Sequence, residues 1–255
     1  MREIAPAIFP SRPTRLQSPT SMNPDLFALG VLWYFVFLFS LTCHEASHAL
    51  AAKWGGDLTA AQGGQVTLNP LPHIRREIFG TVIVPILSFA LGGWMIGWGS
   101  APYNPQWSYR HPHRAAWMAL AGPAANILLM LAAVLGIRIG ILTGGLVEPR
   151  SVDFTHVVAA THKGPIEGIA VLLSITFSLN LLLALFNLLP IPPLDGHAAI
   201  SLLFTEDIAR RLTAVTKNPT LAVIGLLVCW KVFGYLYDPL FGLALNVLYP
   251  GAGYR

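Results

Sequence analysis

One pentapeptide in this chain has residue types and spacing suited to chemistry: His44-Glu45-Ala46-Ser47-His48. Histidines four apart on a helix share one face, so two imidazole nitrogens can meet a single Zn²⁺. Glu45 lies beside them and can take a proton from a water polarised by that ion. The motif closes an apolar run from about Leu26 to Ala52. Three titratable groups within five residues at membrane depth are costly unless they line a cavity or bind something. That cost weighs against the plainer reading of two core histidines with a paired glutamate.

A catalytic zinc needs a third protein ligand and an open position. The candidate is Asp195, in Asn187-Leu-Leu-Pro-Ile-Pro-Pro-Leu-Asp195-Gly196. The prolines end a helix and let the chain turn inward, and Gly196 permits a close backbone approach. An aspartate before a glycine is also an ordinary turn residue. Charge favours it here, because a divalent ion, one carboxylate and one hydroxide sum to zero, and a neutral cluster is cheaper in a low dielectric. Two amides stand near these groups in the pattern: Asn187, and Asn126 in Ala121-Gly-Pro-Ala-Ala-Asn126. An amide in apolar surroundings costs several kcal/mol unless paired. It can donate to an oxyanion or bond between helices.

The elements that must position these groups are read from composition and pattern. Of 255 residues, 54% are hydrophobic and only 11% charged, and mean hydropathy is +0.59. This excludes a soluble globular enzyme, a disordered regulator and a nucleic-acid binder, and points to a polytopic membrane protein. The net charge of +4 comes from 16 Lys and Arg scattered between apolar runs, as expected where they face lipid headgroups and water. Cys43 and Cys229 both lie in apolar runs and form no disulfide framework.

Five apolar segments follow, at about 26–52, 79–99, 115–142, 166–189 and 221–248. The expected fold is an all-α polytopic helix bundle with four to five transmembrane segments, a re-entrant pair and a small β element. Residues 1–25 read as a disordered N-terminal tail and 26–255 as one membrane-embedded domain, with a core over 26–200. Alternation over Gly63 to Asn69 suits a short strand able to bind a peptide by strand addition. Residues 197–216 read as a surface helix, with Ile200, Leu203 and Phe204 opposite Glu206, Asp207, Arg210 and Arg211.

Parity constrains the second segment. His48 ends segment one, Asn126 begins segment three and Asp195 follows segment four, so all three reach one membrane side only if segment two enters and leaves on that side. Pro85 and Gly92-Gly93 supply the breaks such a re-entrant hairpin needs.

His-Glu-Ala-Ser-His paired with the distant Asn-Leu-Leu-Pro-Ile-Pro-Pro-Leu-Asp-Gly resembles the site-2 protease family of intramembrane zinc metalloproteases. Ala121 to Asn126 and Thr67-Leu-Asn-Pro-Leu-Pro-His73-Ile match further elements of that family. The resemblance implies one zinc held by His44, His48 and Asp195, with Glu45 as general base and proton shuttle. It implies that Asn187 hydrogen-bonds the substrate near the scissile carbonyl and that Asn126 shapes the cavity. It also implies membrane-protein substrates cut within or beside the bilayer, and a multi-pass protein of the bacterial inner membrane with its site toward the cytoplasm. The chain leaves no room for a PDZ-like insert or a cystathionine-β-synthase-like tail, so substrate choice falls to the membrane part or to a regulatory membrane partner. His73 and His197 are weaker site candidates. Two rivals stay open from the residues alone: an ion transporter with a His/Glu/Asp pathway, and an inactive protease relative that binds membrane proteins. An intact Glu45 argues against the second.

Overall fold

The computed structural model describes residues 24–215 and 219–254. All but the last two residues of the tail read over 1–25 lie outside the described residues. In chain order the elements are α1 (Pro24–Gly55), α2 (Thr59–Gln62), α3 (Leu71–Arg76), a π-helical turn (Phe79–Ile83) running into α4 (Val84–Gly92), α5 (Pro105–Arg110), α6 (Pro112–Leu142), β1 (Leu146–Val147), β2 (Ala159–Ala160), α7 (Pro165–Asn187), α8 (Asp195–Ala199), a 3₁₀ turn (Ile200–Leu203), α9 (Glu206–Val215) and α10 (Pro219–Leu248).

Among the described residues, four helices are long and apolar enough to cross a membrane: Asp25–Gly55, Pro112–Leu142, Pro165–Asn187 and Ala222–Leu248. Their ends follow local chemistry. Pro112, Pro165 and Pro219 sit in first turns, where the missing N–H costs nothing. Glu167 accepts a bond from the Gly164 N–H, closing the start of α7. Lys53 stands in the last turn of α1, where a cation suits the helix dipole. α6 is the central helix, packed along both α1 and α7. One core lies between α6, α7 and α10 and includes Ile137, Phe177, Tyr237 and Phe241. A second lies between α1 and α7 around Phe37, Ile175 and Leu179. Large side chains such as Phe35, Leu128, Leu135 and Val247 stay exposed on the outer faces, as lipid-facing positions do.

The second apolar segment does not cross. Helical residues 79–92 rise only about 21 Å at 1.5 Å each, short of ~30 Å of hydrocarbon. The chain turns at Gly93, whose φ is 75°, and comes back extended. The Trp98 N–H donates to the Gly80 carbonyl at 3.1 Å. At the base, Ser100 Oγ donates to Glu77 Oε1 at 2.5 Å and receives Arg76 Nε at 3.0 Å. Both ends of the segment therefore meet on one side, as the parity argument requires. A Cβ on Gly97 would collide with the Gly80 carbonyl and the Phe37 ring, so the two arms close only with hydrogen in its place.

Two expectations need correction. Residues 63–69 form turns and bends, not a strand. Thr67 Oγ1 accepts the Asn69 N–H at 3.1 Å, and Asn69 Oδ1 accepts the Leu71 N–H at 3.0 Å. These side chains bond their own backbone, so what looked like strand alternation is turn chemistry. The β element is instead the antiparallel pair β1–β2, on the connection between α6 and α7. The stretch read as one surface helix over 197–216 is broken into α8, the 3₁₀ turn and α9, with Phe204 extended at ψ 164° between the last two; residue 216 lies outside the described residues.

Candidate metal centre

His44 and His48 project from the second half of α1 and are both buried. Their Nε2 atoms lie 3.0 Å apart. Asp195 Oδ2 stands 3.1 Å from the first and 3.3 Å from the second. Ligands about 2.0–2.1 Å from one tetrahedral ion are separated by about 3.3 Å, so these three atoms occupy the corners such an ion demands.

Proton placement makes the same point. His48 Nδ1 lies 2.7 Å from the Met118 carbonyl oxygen, which can only accept. His44 Nδ1 lies 2.6 Å from Asn126 Oδ1, while Asn126 Nδ2 donates to Asn180 Oδ1 at 2.8 Å. Both Nδ1 atoms are therefore donors, and in neutral rings both Nε2 atoms present lone pairs to each other and to a carboxylate. Asp195 Oδ2 is buried without a hydrogen-bond donor. Three electron-rich atoms converging in a buried pocket need a cation: a proton on an imidazole, or a metal. In the protonated alternative, burial pushes the Asp195 carboxyl up, but the charge on His48 and hydrogen bonds from both rings more than offset it and hold it well below the usual carboxylate range. The donor set of two imidazoles and one carboxylate suits zinc.

Local sequence explains how each group arrives. In α6, Pro123 lacks the N–H that would bind the Ala119 carbonyl, which loosens the turn beside the Met118 carbonyl that holds His48. One residue earlier, a Cβ at Gly122 would meet Nε2 of both histidines, so glycine there lets α6 lie against the two rings. After α7 ends at Asn187, Leu194 is extended (φ −72°, ψ 156°) and leads into α8 at Asp195. Gly196 sits so close to the Leu188 and Leu189 carbonyls that no Cβ fits. This is the close approach expected of that glycine, and it fixes where Asp195 starts α8.

Glu45 is buried beside the cluster, and its ligand atoms are not among the three that converge. It faces the returning arm of the hairpin, where a Cβ on Gly99 would come within 2.8 Å of Glu45 Oε1. Asn126, wholly buried, holds His44 by the bond already described. Asn187 is placed differently. Its Nδ2 donates to the Leu183 carbonyl of its own helix at 2.9 Å, so its donor is turned back on α7. His73 donates through Nε2 to the Thr67 carbonyl at 3.1 Å and fastens the turn before α3. His197 follows Asp195; burial lowers its pKa against a hydrogen bond with the Pro190 backbone.

Sequence reasoning did not single out Asn180, Ser40, Gly122 or the Met118 carbonyl. Asn180 had a usable signal: it precedes Asn187 by seven residues, two turns on one helix face, and an amide on an apolar helix needs a partner. A backbone carbonyl such as that of Met118 has no residue-type signal at all.

A family model described as peptidase family M50 matches residues 33–232, a window holding all six candidate residues. The chain is 30% identical over 190 residues to "Putative zinc metalloprotease YwhC" of Bacillus subtilis (strain 168), covering 73% of this chain and 76% of that one. It is 31% identical over 192 residues to "Putative zinc metalloprotease Rip2" of Mycolicibacterium smegmatis, covering 75% and 64%. Against the protein of that name from Mycobacterium tuberculosis (strain ATCC 25618 / H37Rv) it is 29% identical over 208 residues, covering 81% and 70%. No solved structure matches.

Proposed function

The chain belongs to peptidase family M50, and on that footing we propose that it is a multi-pass membrane zinc metalloprotease that hydrolyses peptide bonds in transmembrane or membrane-proximal segments of other proteins. The observation that carries the reading is the convergence of His44 Nε2, His48 Nε2 and Asp195 Oδ2 at mutual distances of 3.0, 3.1 and 3.3 Å, with both Nδ1 protons committed elsewhere. The names of the relatives, which describe zinc metalloproteases, support the same choice of metal.

His44, His48 and Asp195 would hold the ion. Bound zinc supplies Lewis-acid polarisation of a carbonyl and of a water at neutral pH. The remaining work falls to the chain. Glu45, beside the first ligand, takes a proton from the attacking water and delivers it to the leaving amine. The extended arm at Gly99 lies against the buried carboxylate and keeps bulk water from it. Asn187 takes the role of donor to the developing oxyanion by exchanging the Leu183 carbonyl for the substrate, a rotation at the free end of α7. Asn126 keeps His44 oriented and contacts no substrate. A substrate helix must unwind locally to expose its carbonyl, so residues that break helices near the cut favour cleavage. The site lies toward the cytoplasm of a bacterial inner membrane, with membrane-protein substrates and a regulatory membrane partner as its company.

Purified wild type and Glu45→Gln in detergent, given a transmembrane test peptide and assayed for metal, test this. Both should carry about one zinc and only wild type should cut. Equal cutting would remove Glu45 from the mechanism, and zinc-independent ion flux in vesicles without cutting would favour a transporter.

A further inference from the structure

The bond between His44 and Asn126 is the end of a longer chain of amides and hydroxyls inside the bundle. Asn126 Nδ2 donates to Asn180 Oδ1 at 2.8 Å. Asn180 Nδ2 then donates to Ser40 Oγ at 2.9 Å and to the Thr176 carbonyl at 2.8 Å. Ser40, Asn126 and Asn180 are each 0% exposed, and they belong to α1, α6 and α7. The relay thus ties the three helices that surround the centre and ends on a ligand nitrogen.

Its direction is set by one group that can only accept. The Thr176 carbonyl requires an N–H from Asn180, which turns the Asn180 amide so that its oxygen faces α6. Asn126 must meet that oxygen with its own NH₂, which leaves Asn126 Oδ1 pointing at His44. His44 Nδ1 must then be the donor, and Nε2 is left bare for a metal. Without the Asn180 oxygen nothing prevents the Asn126 amide from turning over. Its NH₂ would then face Nδ1, the ring proton would move to Nε2, and that nitrogen could no longer coordinate.

We propose that Asn180 is a positioning residue for the metal centre, selecting through Asn126 the neutral ring tautomer of His44 that leaves Nε2 bare for metal. This rests on the reading of His44 as a metal ligand. Asn180 touches neither the metal ligands nor, on this geometry, the substrate. Partners bonded directly to a ligand, as Asn126 is to His44, change metal affinity by about 10–100-fold when lost, and Asn180 acts through that partner. Ser40 is the lesser partner, because the Thr176 carbonyl holds the Asn180 amide without it.

The test is zinc affinity of the full-length protein in detergent, measured by competition with a chromophoric chelator, with thermal unfolding of the metal-free protein as a separate readout. Asn180→Leu should weaken zinc by about 10–100-fold. Asn180→Asp, whose carboxyl is neutral at this buried position and can donate its O–H to the Thr176 carbonyl while its other oxygen accepts from Asn126, should restore affinity to near wild type. Adding Asn180→Leu to Asn126→Leu should cost no further affinity, because Asn180 acts only through Asn126. If Asn180→Leu does not fold, Asn180→Thr makes the same test, since its hydroxyl can bond the Thr176 carbonyl but cannot reach Asn126. Wild-type zinc affinity in the Leu or Thr variant would overturn the proposal, as would additive losses in the double variant. Failure of the wild type itself to bind zinc would instead overturn the metalloprotease reading, and this inference with it.

Discussion

Gly122→Ala places one methyl group against the two imidazole nitrogens that the account assigns to the metal. In α6 the added Cβ would come within 2.6 Å of both His44 Nε2 and His48 Cε1, and nearer still to His48 Nε2. Non-bonded carbon contacts are comfortable at about 3.5 Å, so the rings must retreat by about 0.9–1.1 Å. Coordination distances tolerate only about 0.2 Å, so at least one imidazole leaves the ligand set. Zinc affinity should fall by about 100-fold or more, beyond what loss of a supporting partner causes, and peptide cleavage should disappear with it. The fold should pay about 1–3 kcal/mol for overpacking, which the metal-free unfolding temperature measures separately. Gly136→Ala is the control on the same helix: its Cβ meets Leu173 Cδ2 at 2.9 Å, the end of a flexible side chain that can move aside. Chelator competition and elemental analysis on both variants decide the matter. Stoichiometric zinc of wild-type affinity in Gly122→Ala would refute the placement of α6 against the ligand nitrogens.

Gly196→Ala should separate Asp195 from the histidines, because its Cβ has no room against the Leu188 and Leu189 carbonyls; weaker zinc with an intact helical spectrum is expected, and unchanged zinc affinity would contradict it. Cysteines at Gln62 and Tyr109, flanking the hairpin, should react with an impermeant thiol reagent from one membrane side, and one at Ser151 from the other; labelling of Gln62 and Tyr109 from opposite sides would turn the hairpin into a span. Asp57 accepts Thr59 Oγ1 at 2.6 Å and the Asn104 N–H at 2.7 Å. Burial pushes its pKa up, but these bonds and that of the Thr59 N–H hold it below the ordinary value. Its stabilisation is then fully present above the ordinary carboxylate pKa and lost as pH falls through the lowered one. Asp57→Asn should destabilise by about 2 kcal/mol at neutral pH, and the gap to wild type should close in acid; a gap independent of pH would assign the loss to packing alone.

Much of the site was legible because membrane sequences leave few polar residues unexplained. The spacing of His44 and His48 placed two imidazoles on one helix face, and Asp195 stood out through the proline break and the glycine after it. Parity of the segments turned those three positions into a hairpin, and the Trp98 to Gly80 bond shows how it closes. What was not legible depended on atoms that residue types do not announce. Thr67 and Asn69 mimic strand alternation but bond to their own backbone. β1 and β2 are two residues each, too short to leave a period. Asn187 carries a recognisable motif, yet its donor is satisfied within α7. Asn180 is recognisable only once Asn126 and Ser40 are seen on either side of it.

X-ray absorption at the zinc edge of the purified, metal-loaded protein addresses the central claim most directly. The account predicts one zinc per chain, with two imidazole nitrogens and oxygen donors at about 2.0–2.2 Å, and loss of one oxygen donor in Asp195→Ala. A sulfur shell near 2.3 Å, which Cys43 beside His44 would supply, or an unchanged spectrum in Asp195→Ala, would contradict it.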